Sequence, residues 1–519
     1  MKKIVIYDTT LRDGCQAEGI SLSLEDKLAL TQRLDEFGID YIEGGYPQSN
    51  PKDASYFREA AHLALSHAQV VAFGSTRRAK YAADKDPGLR ALLGAGTGTV
   101  AVVAKSWDLH VRDVLRVGPK DNLAMISDSV RHLKKEGRTV FLDAEHFFDG
   151  YAHNPKYAMK TLRAALDSGA DALVLCDTNG GTTVSAVAAA VSRVRRETRL
   201  YRPVIGIHTH NDSGLAVANT LAAVERGARH VQGTLNGVGE RCGNADLCSL
   251  VPNLVLKLGC DCSARANLKQ LTELSRYFYS LANLAVPHGQ PYVGLSAFSH
   301  KGGMHIDAMK KNERTYEHVP PDTIGNTRRI LLSELSGSAS ILQKMEKSDI
   351  ARDPETMRRV LAKVQKLENE GYLFEAAEAS FEILVKKMLR KHRSFWKLHG
   401  YRIIVEQRGE MPVTEATLKL GVGSRTFHTV AEGDGPVNAL DGALRLALEG
   451  VYPQLKDMRL LDYKVRVVNP RAATAARVRV TIESRDETDV WGTVGVSENI
   501  IEASWLALVD SFEYKLLKG

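Results

Sequence analysis

A chain of 519 residues exceeds what one small core organises, and with 44% hydrophobic and 25% charged residues it has the composition of a globular protein with one large domain and smaller ones beside it. The net charge of +7, from 69 basic against 62 acidic residues, is not gathered into a basic run with interleaved aromatics, which argues against a nucleic-acid partner. No apolar segment approaches the roughly 18 residues that cross a bilayer, and six cysteines without a C-x-x-C pair make neither a disulfide framework nor a zinc pattern, so a reduced cytoplasmic protein with no membrane partner is expected.

The first strand begins almost at once, leaving no room for a signal peptide. From there, short β-branched runs alternate with amphipathic segments. Strands are predicted at residues 4–7, 40–43, 70–73, 100–104, 140–143, 172–175, 204–208 and 230–235, and helices at 23–37, 122–136, 155–168, 183–198, 213–226 and 245–258. Ser23 precedes Leu24-Glu25-Asp26, whose acids favour a helix N-terminus, and Gly38 follows Phe37 as a stop. The same closing glycine recurs at Gly137, Gly169, Gly227 and Gly259. Eight strands, each followed by a helix, predict an α/β fold, a (β/α)8 barrel over residues 1–290. A doubly wound sheet is the alternative, but no glycine-rich phosphate loop follows the first strand.

Beyond the barrel the character changes. Residues 299–312 and 316–325 read as loops or short elements, 348–354 as a hinge, and 354–370 and 373–392 as charged helices, so residues 291–395 are expected to form linker subdomains. Residues 396–519 read as an α+β domain with a loose internal repeat. Strands at 401–406, 415–420 and 426–430 lead into a helix through Leu448, and strands at 462–468, 476–483 and 490–496 into a helix through Ser511. Two such halves suit a small-molecule sensing or dimerisation module.

In a barrel, function gathers where strands end. The unusual polar residues fall there: Arg12 and Asp13, Glu43, Ser75, Lys105, Glu145, the Asp177-Thr178-Asn179 turn, His208 and His210, and residues 236–244. Side chains two apart on a strand share a face, so His208 and His210 can grip one divalent metal. Asp13, after another apolar run, is a candidate acidic third ligand. Glu145 is either a proton-transfer group or a helix cap. Residues 236–244 offer backbone amides and an amide side chain after the last strand, and His300 to His305 lie where a loop could cover the site.

Together D-T-T-L-R-D-G (Asp8 to Gly14), H-T-H-N-D (His208 to Asp212) and N-G-x-G-E-R-x-G-N (Asn236 to Asn244) resemble the acyl-CoA-dependent Claisen-condensing family of isopropylmalate, homocitrate and citramalate synthases. Metal-dependent lyases share its barrel. The resemblance covers essentially the whole chain, including H-K-G-G-M-H from His300, and residues 42–53, 143–151 and 494–505 stand nearest the citramalate branch. It implies Asp13, His208 and His210 as ligands of a divalent magnesium, manganese or zinc ion, with Asn244 as a further or nearby ligand. It implies Arg12 on the oxyanion, Thr178 on the substrate carboxylate, Asn236 and Glu240 as further substrate contacts, and Glu145 as acid/base. His305 and Tyr316 would be a catalytic pair from beyond the barrel. The implied reaction joins acetyl-CoA to pyruvate, with water releasing CoA, on the route to isoleucine. The same chemistry on 2-ketoisovalerate, or a lyase running carbon–carbon cleavage, is the alternative. The C-terminal domain would then bind isoleucine as an effector and support a homodimer.

Overall fold

Alternation along short β-branched strands governs the first unit: one face meets the surrounding helices and the other fills the space the strands enclose. The strands are β1 (Val5–Asp8), β2 (Tyr41–Gly45), β3 (Gln69–Ser75), β4 (Thr99–Lys105), β5 (Thr139–Glu145), β6 (Ala172–Asp177), β7 (Val204–Thr209) and β8 (His230–Gly233). They pair in sequence order, all parallel, and β8 returns to β1 with Val5 opposite His230 and Asp8 opposite Gly233, closing the barrel. The computed structural model describes residues 2–198, 204–300, 303–330, 354–374, 377–408, 411–468 and 476–518. It divides into two units, Met1–Phe298 with Val319–Arg328, and Ser299–His318 with Arg329–Gly519.

Local signals set the helix ends. Ser23 caps Leu24–Phe37 by accepting from the Asp26 amide while Asp26 reaches back, and Gly38 ends the helix at φ 95°. Two helices beyond those named from the sequence, Pro51–Ala60 and Pro87–Gly94, begin with proline after the caps Asn50 and Asp86. The helix expected over 245–258 is instead a short Leu247–Pro252 segment followed by a wider-turned Asn253–Lys257, because Pro252 brings no N–H to the ladder. The strand expected to reach residue 235 stops at Gly233, and a tight turn at Leu235–Gly237 follows with Asn236 at φ 60°.

Inside the barrel, Tyr7, Tyr41, Phe141 and His230, from four strands, form an aromatic floor. Tyr41 meets Phe141 edge-on at 5.1 Å between ring centroids, and Tyr7 lies 5.0 Å from His230. Outward-facing Ile6, Ile42, Val100, Leu142, Leu173 and Ile207 join the helices in the main core.

In the second unit, β9 (Ser299–His300) pairs in parallel with β10 (Arg329–Ile330). Residues 303–311, expected as loop or short elements, include the helix Gly303–Lys311. The expected hinge lies outside the described residues up to 353, and Pro354 opens the helix Pro354–Asn369. The next helix, Glu378–Met388, starts later than expected. Two β-β-β-α halves follow. The first is β11 (Lys397–Arg408), β12 (Met411–Val422), β13 (Arg425–Gly433) and the helix Pro436–Leu448. The second is β14 (Arg459–Val467), β15 (Val478–Arg485), β16 (Val490–Ser497) and the helix Ile500–Lys518. Each half is an antiparallel three-stranded sheet, and one core unites them, with Leu418, Leu440 and Leu444 from the first and Ile482, Leu508 and Phe512 from the second. Among the described residues no helix is long and apolar enough to cross a membrane.

Gly206 on β7 marks a close approach inside the barrel. A methyl there would sit 2.8 Å from Val174 Cγ2 and 3.1 Å from His230 Cδ2. Gly206→Ala is expected to destabilise the barrel by about 1–3 kcal/mol, read as a lower thermal midpoint by circular dichroism; an unchanged midpoint would contradict this interior packing.

Candidate metal centre and active site

Three side chains converge at the C-terminal end of the barrel strands. Asp13 sits in the turn after β1, where its amide donates to the Thr9 carbonyl, His208 is near the end of β7, and His210 follows that strand. One ligand atom from each lies within 4.8 Å of the others, and all three residues are buried. His208 Nε2 is 3.3 Å from His210 Nε2 and 3.3 Å from Asp13 Oδ2, while His210 Nε2 is 3.9 Å from that oxygen. Ligands held at about 2.1 Å in a tetrahedral set stand about 3.4 Å apart, so these spacings fit a small divalent cation. Asn244 Nδ2 lies 3.0 Å from Asp13 Oδ2 and 3.3 Å from His208 Nε2, and Asn244 Oδ1 is buried with no hydrogen-bond partner. A half-turn of the amide exchanges the two atoms and brings an acceptor oxygen to the cluster.

The electrostatics suit the same ion. Burial alone would raise the Asp13 carboxyl, but the Arg12 guanidinium, followed by the His208 hydrogen bond and charge, outweighs it and holds the group well below the usual carboxylate range. Burial, then the charge of His208, lowers His210 to about 4 and keeps it a neutral imidazole, the ligand form. Burial also pulls His208 down, yet its hydrogen bond to Asp13 prevails and raises it. Proton and cation would therefore compete for His208 Nε2.

Beneath this triad lies a second polar layer. Glu43 accepts from the Tyr7 hydroxyl at 2.8 Å and from Arg12 Nε at 2.6 Å, and the Arg12 guanidinium lies 4.0 Å above the Phe73 ring. Gln232 Oε1 accepts from His208 Nδ1 at 2.8 Å. Its Nε2 stands 3.3 Å from Asp143 Oδ1 and 3.3 Å from His230 Nε2. Burial, then the charge of Glu43, pushes Asp143 up to about 7. Sequence reasoning singled out neither Gln232, Asp143 nor Tyr7. The available signal was periodicity: Gln232 is two residues from His230, and Asp143 two from Glu145, so each shares an interior face.

The other expected residues divide. Glu145, at the end of β5, forms an ion pair with Lys105, its register partner on β4. Thr178 Oγ1 accepts from the His146 amide at 2.9 Å. Arg241 grips both Asp212 oxygens, at 2.7 and 2.9 Å, and donates to the Thr178 carbonyl at 2.7 Å, tying together the loops after β6, β7 and β8. Two further expected substrate contacts have protein partners of their own. Asn236 spends its amide on Ser275, Gln290 and Cys248, bracing its own loop. Glu240 is exposed and accepts from Arg241. His305 and Tyr316 belong to the second unit, where their rings stack at 4.0 Å.

The HMGL-like family model matches residues 3–277, the homocitrate synthase post-HMGL domain-like model 292–372, and the LeuA allosteric (dimerisation) domain 375–516. The chain is 52% identical to the (R)-citramalate synthase of Geobacter sulfurreducens, over 100% of this chain and 98% of that protein. It is 50% identical to that of Aquifex aeolicus over the same shares of each chain. The 2-isopropylmalate synthase of Sulfolobus acidocaldarius is 34% identical over 75% of this chain and 97% of its own. With full-length identity to the first two, the same succession of domains and a barrel mouth built from Arg12, Asp13 and the two histidines, this chain belongs to the (R)-citramalate synthase family of HMGL-like acyltransferases.

Proposed function

We propose that the chain condenses acetyl-CoA with pyruvate and hydrolyses the thioester to give citramalate and CoA. Asp13, His208 and His210 would hold a divalent cation, with Asn244 as a further or adjacent ligand. The convergence of these ligands beside Arg12, on a chain of this family, carries the reading. The cation, when bound, supplies a Lewis acid for the keto carbonyl, a role open to magnesium, manganese or zinc.

The protein's own groups do the rest. Arg12, anchored through Nε on Glu43, turns its remaining N–H groups to the negative charge that builds on the attacked oxygen. Thr178, whose oxygen already accepts from a backbone amide, has its O–H left to donate to the substrate carboxylate. Glu145 takes the proton from the acetyl methyl group, with Lys105 orienting its carboxylate. His305 and Tyr316, whose rings stack on one another within the second unit, are kept as the catalytic pair that the family resemblance implies. Asn236 and Glu240 stay as further proposed substrate contacts, the first through the Nδ2 hydrogen not given to the Ser275 carbonyl and the second through a carboxylate that is exposed.

The sibling reaction on 2-ketoisovalerate differs only in the bulk of the keto acid, and each methylene contributes about 1–3 kcal/mol to discrimination. Release of free CoA from acetyl-CoA, measured side by side with pyruvate, 2-ketobutyrate, 2-ketoisovalerate and 2-ketoglutarate, is expected to give the highest kcat/KM with pyruvate. Preference for 2-ketoisovalerate would make the chain an isopropylmalate synthase instead. His208→Ala is expected to lose bound metal and turnover together, and full turnover in the presence of a chelator would rule out the metal reading.

The C-terminal halves expose Val405, Val430, Val465, Val467 and Val490 on their strands, which suits a homodimer through the domain matched by the LeuA allosteric model. Isoleucine is the proposed effector of that domain. Millimolar isoleucine should lower the rate of the full-length enzyme, and indifference to both isoleucine and leucine would remove the sensing role.

A further inference from the structure

We propose that Gln232 is a positioning residue of the metal centre: its amide decides which ring nitrogen of His208 carries the proton, and so aims the Nε2 lone pair at the cation. The inference rests on the reading of Asp13, His208 and His210 as metal ligands.

The argument begins with the barrel register. Gly206 stands opposite His230 and Ile207 opposite Val231, so continuing the pairing brings Gln232 of β8 alongside His208 of β7. Gln232 is fully buried, and its amide meets three protein groups. A primary amide has an acceptor oxygen at one end and two N–H donors at the other, and its direction is read from its neighbours. Here the nitrogen end faces Asp143 Oδ1, and it also meets His230 Nε2, a ring nitrogen that accepts when that imidazole carries its proton on Nδ1. Turned round, the amide would set its oxygen against the Asp143 oxygen and offer N–H groups to His208. In the observed direction, Oε1 meets His208 Nδ1 at 2.8 Å, the shortest contact Gln232 makes. An amide oxygen only accepts, so Nδ1 must donate. A neutral imidazole with its proton on Nδ1 has its lone pair on Nε2, the atom facing Asp13 and His210.

Metal-bound histidines generally donate their second nitrogen to a carboxylate or a carbonyl, and losing that partner weakens metal affinity by about 10–100-fold. This chain uses a neutral amide, itself held by a buried carboxyl. The choice has a chemical consequence. Asp13 remains the one formally negative ligand of the triad, and the group that accepts from His208 Nδ1 is a neutral amide rather than a carboxylate.

The test uses full-length metal-free protein titrated with Mn2+ and followed by electron paramagnetic resonance, with histidine-selective 15N NMR recorded above the imidazole titration. In the parent, the His208 signal should be that of the Nδ1–H tautomer. Gln232→Met, a straight chain of similar length without the amide, should weaken Mn2+ binding about 10-fold or more and shift His208 to a tautomer mixture. Gln232→Leu provides the same loss in a second shape should one variant fold poorly, with folding checked by circular dichroism. Gln232→Glu, which keeps an acceptor, should restore affinity to within a few-fold. Parental affinity and an unchanged His208 tautomer in Gln232→Met would overturn the inference. His208→Ala tests the underlying reading separately: if it binds Mn2+ like the parent, the metal assignment fails, while the tautomer signal still judges Gln232.

Discussion

A buried carboxylate at Asp13 sets the terms for the mouth of the barrel. Removing a charged carboxylate from water is costly, and Asp13 is nearly inaccessible, so its charge persists only because Arg12 and His208 lie against it. Arg12 in turn is held by Glu43 and the Phe73 face, and Glu43 by the Tyr7 hydroxyl. This chain of contacts runs from the aromatic floor to the ligand triad, and each member satisfies the one above it. The outcome is a cluster whose charges are balanced but whose two imidazole nitrogens and one carboxylate oxygen face one another at spacings that fit a divalent cation.

Barrel geometry gives those contacts their precision. Interior residues rise in layers as the strands alternate: Tyr7, Phe141 and His230 at the floor, Glu43, Asp143, Gln232 and His208 above, and Glu145, Lys105, Thr178 and His210 around the mouth. Neighbouring strands share a fixed register, so a residue on one finds its partner at a set height on the next, as Lys105 does with Glu145. Site and scaffold are thus the same interior faces read at different heights.

The second unit follows another economy. Two β-β-β-α halves bury their helices against their own sheets in one common core, leaving β-branched residues exposed on the strands. An arrangement stable in its interior yet apolar outside is well suited to a dimer contact and to an effector that biases it.

Much of this was legible in the chain. Eight apolar runs separated by helical patterns with closing glycines determined the barrel, since strand and helix periods and their end signals are local properties. The repeat beyond residue 396 was legible for the same reason. Within the site, H-x-H on a strand put two imidazoles on one face, and the resemblance carried by D-T-T-L-R-D-G and H-T-H-N-D made them, with Asp13, candidate ligands. Tertiary structure alone decided the partners. Nothing local says that Tyr7 and Arg12 meet on Glu43, that Gln232 stands behind His208, or that Asn236 turns its amide onto Ser275 and Gln290, because each contact joins residues tens of positions apart in the chain. Local periodicity tells which face a side chain takes; only closure of the barrel tells what stands opposite it.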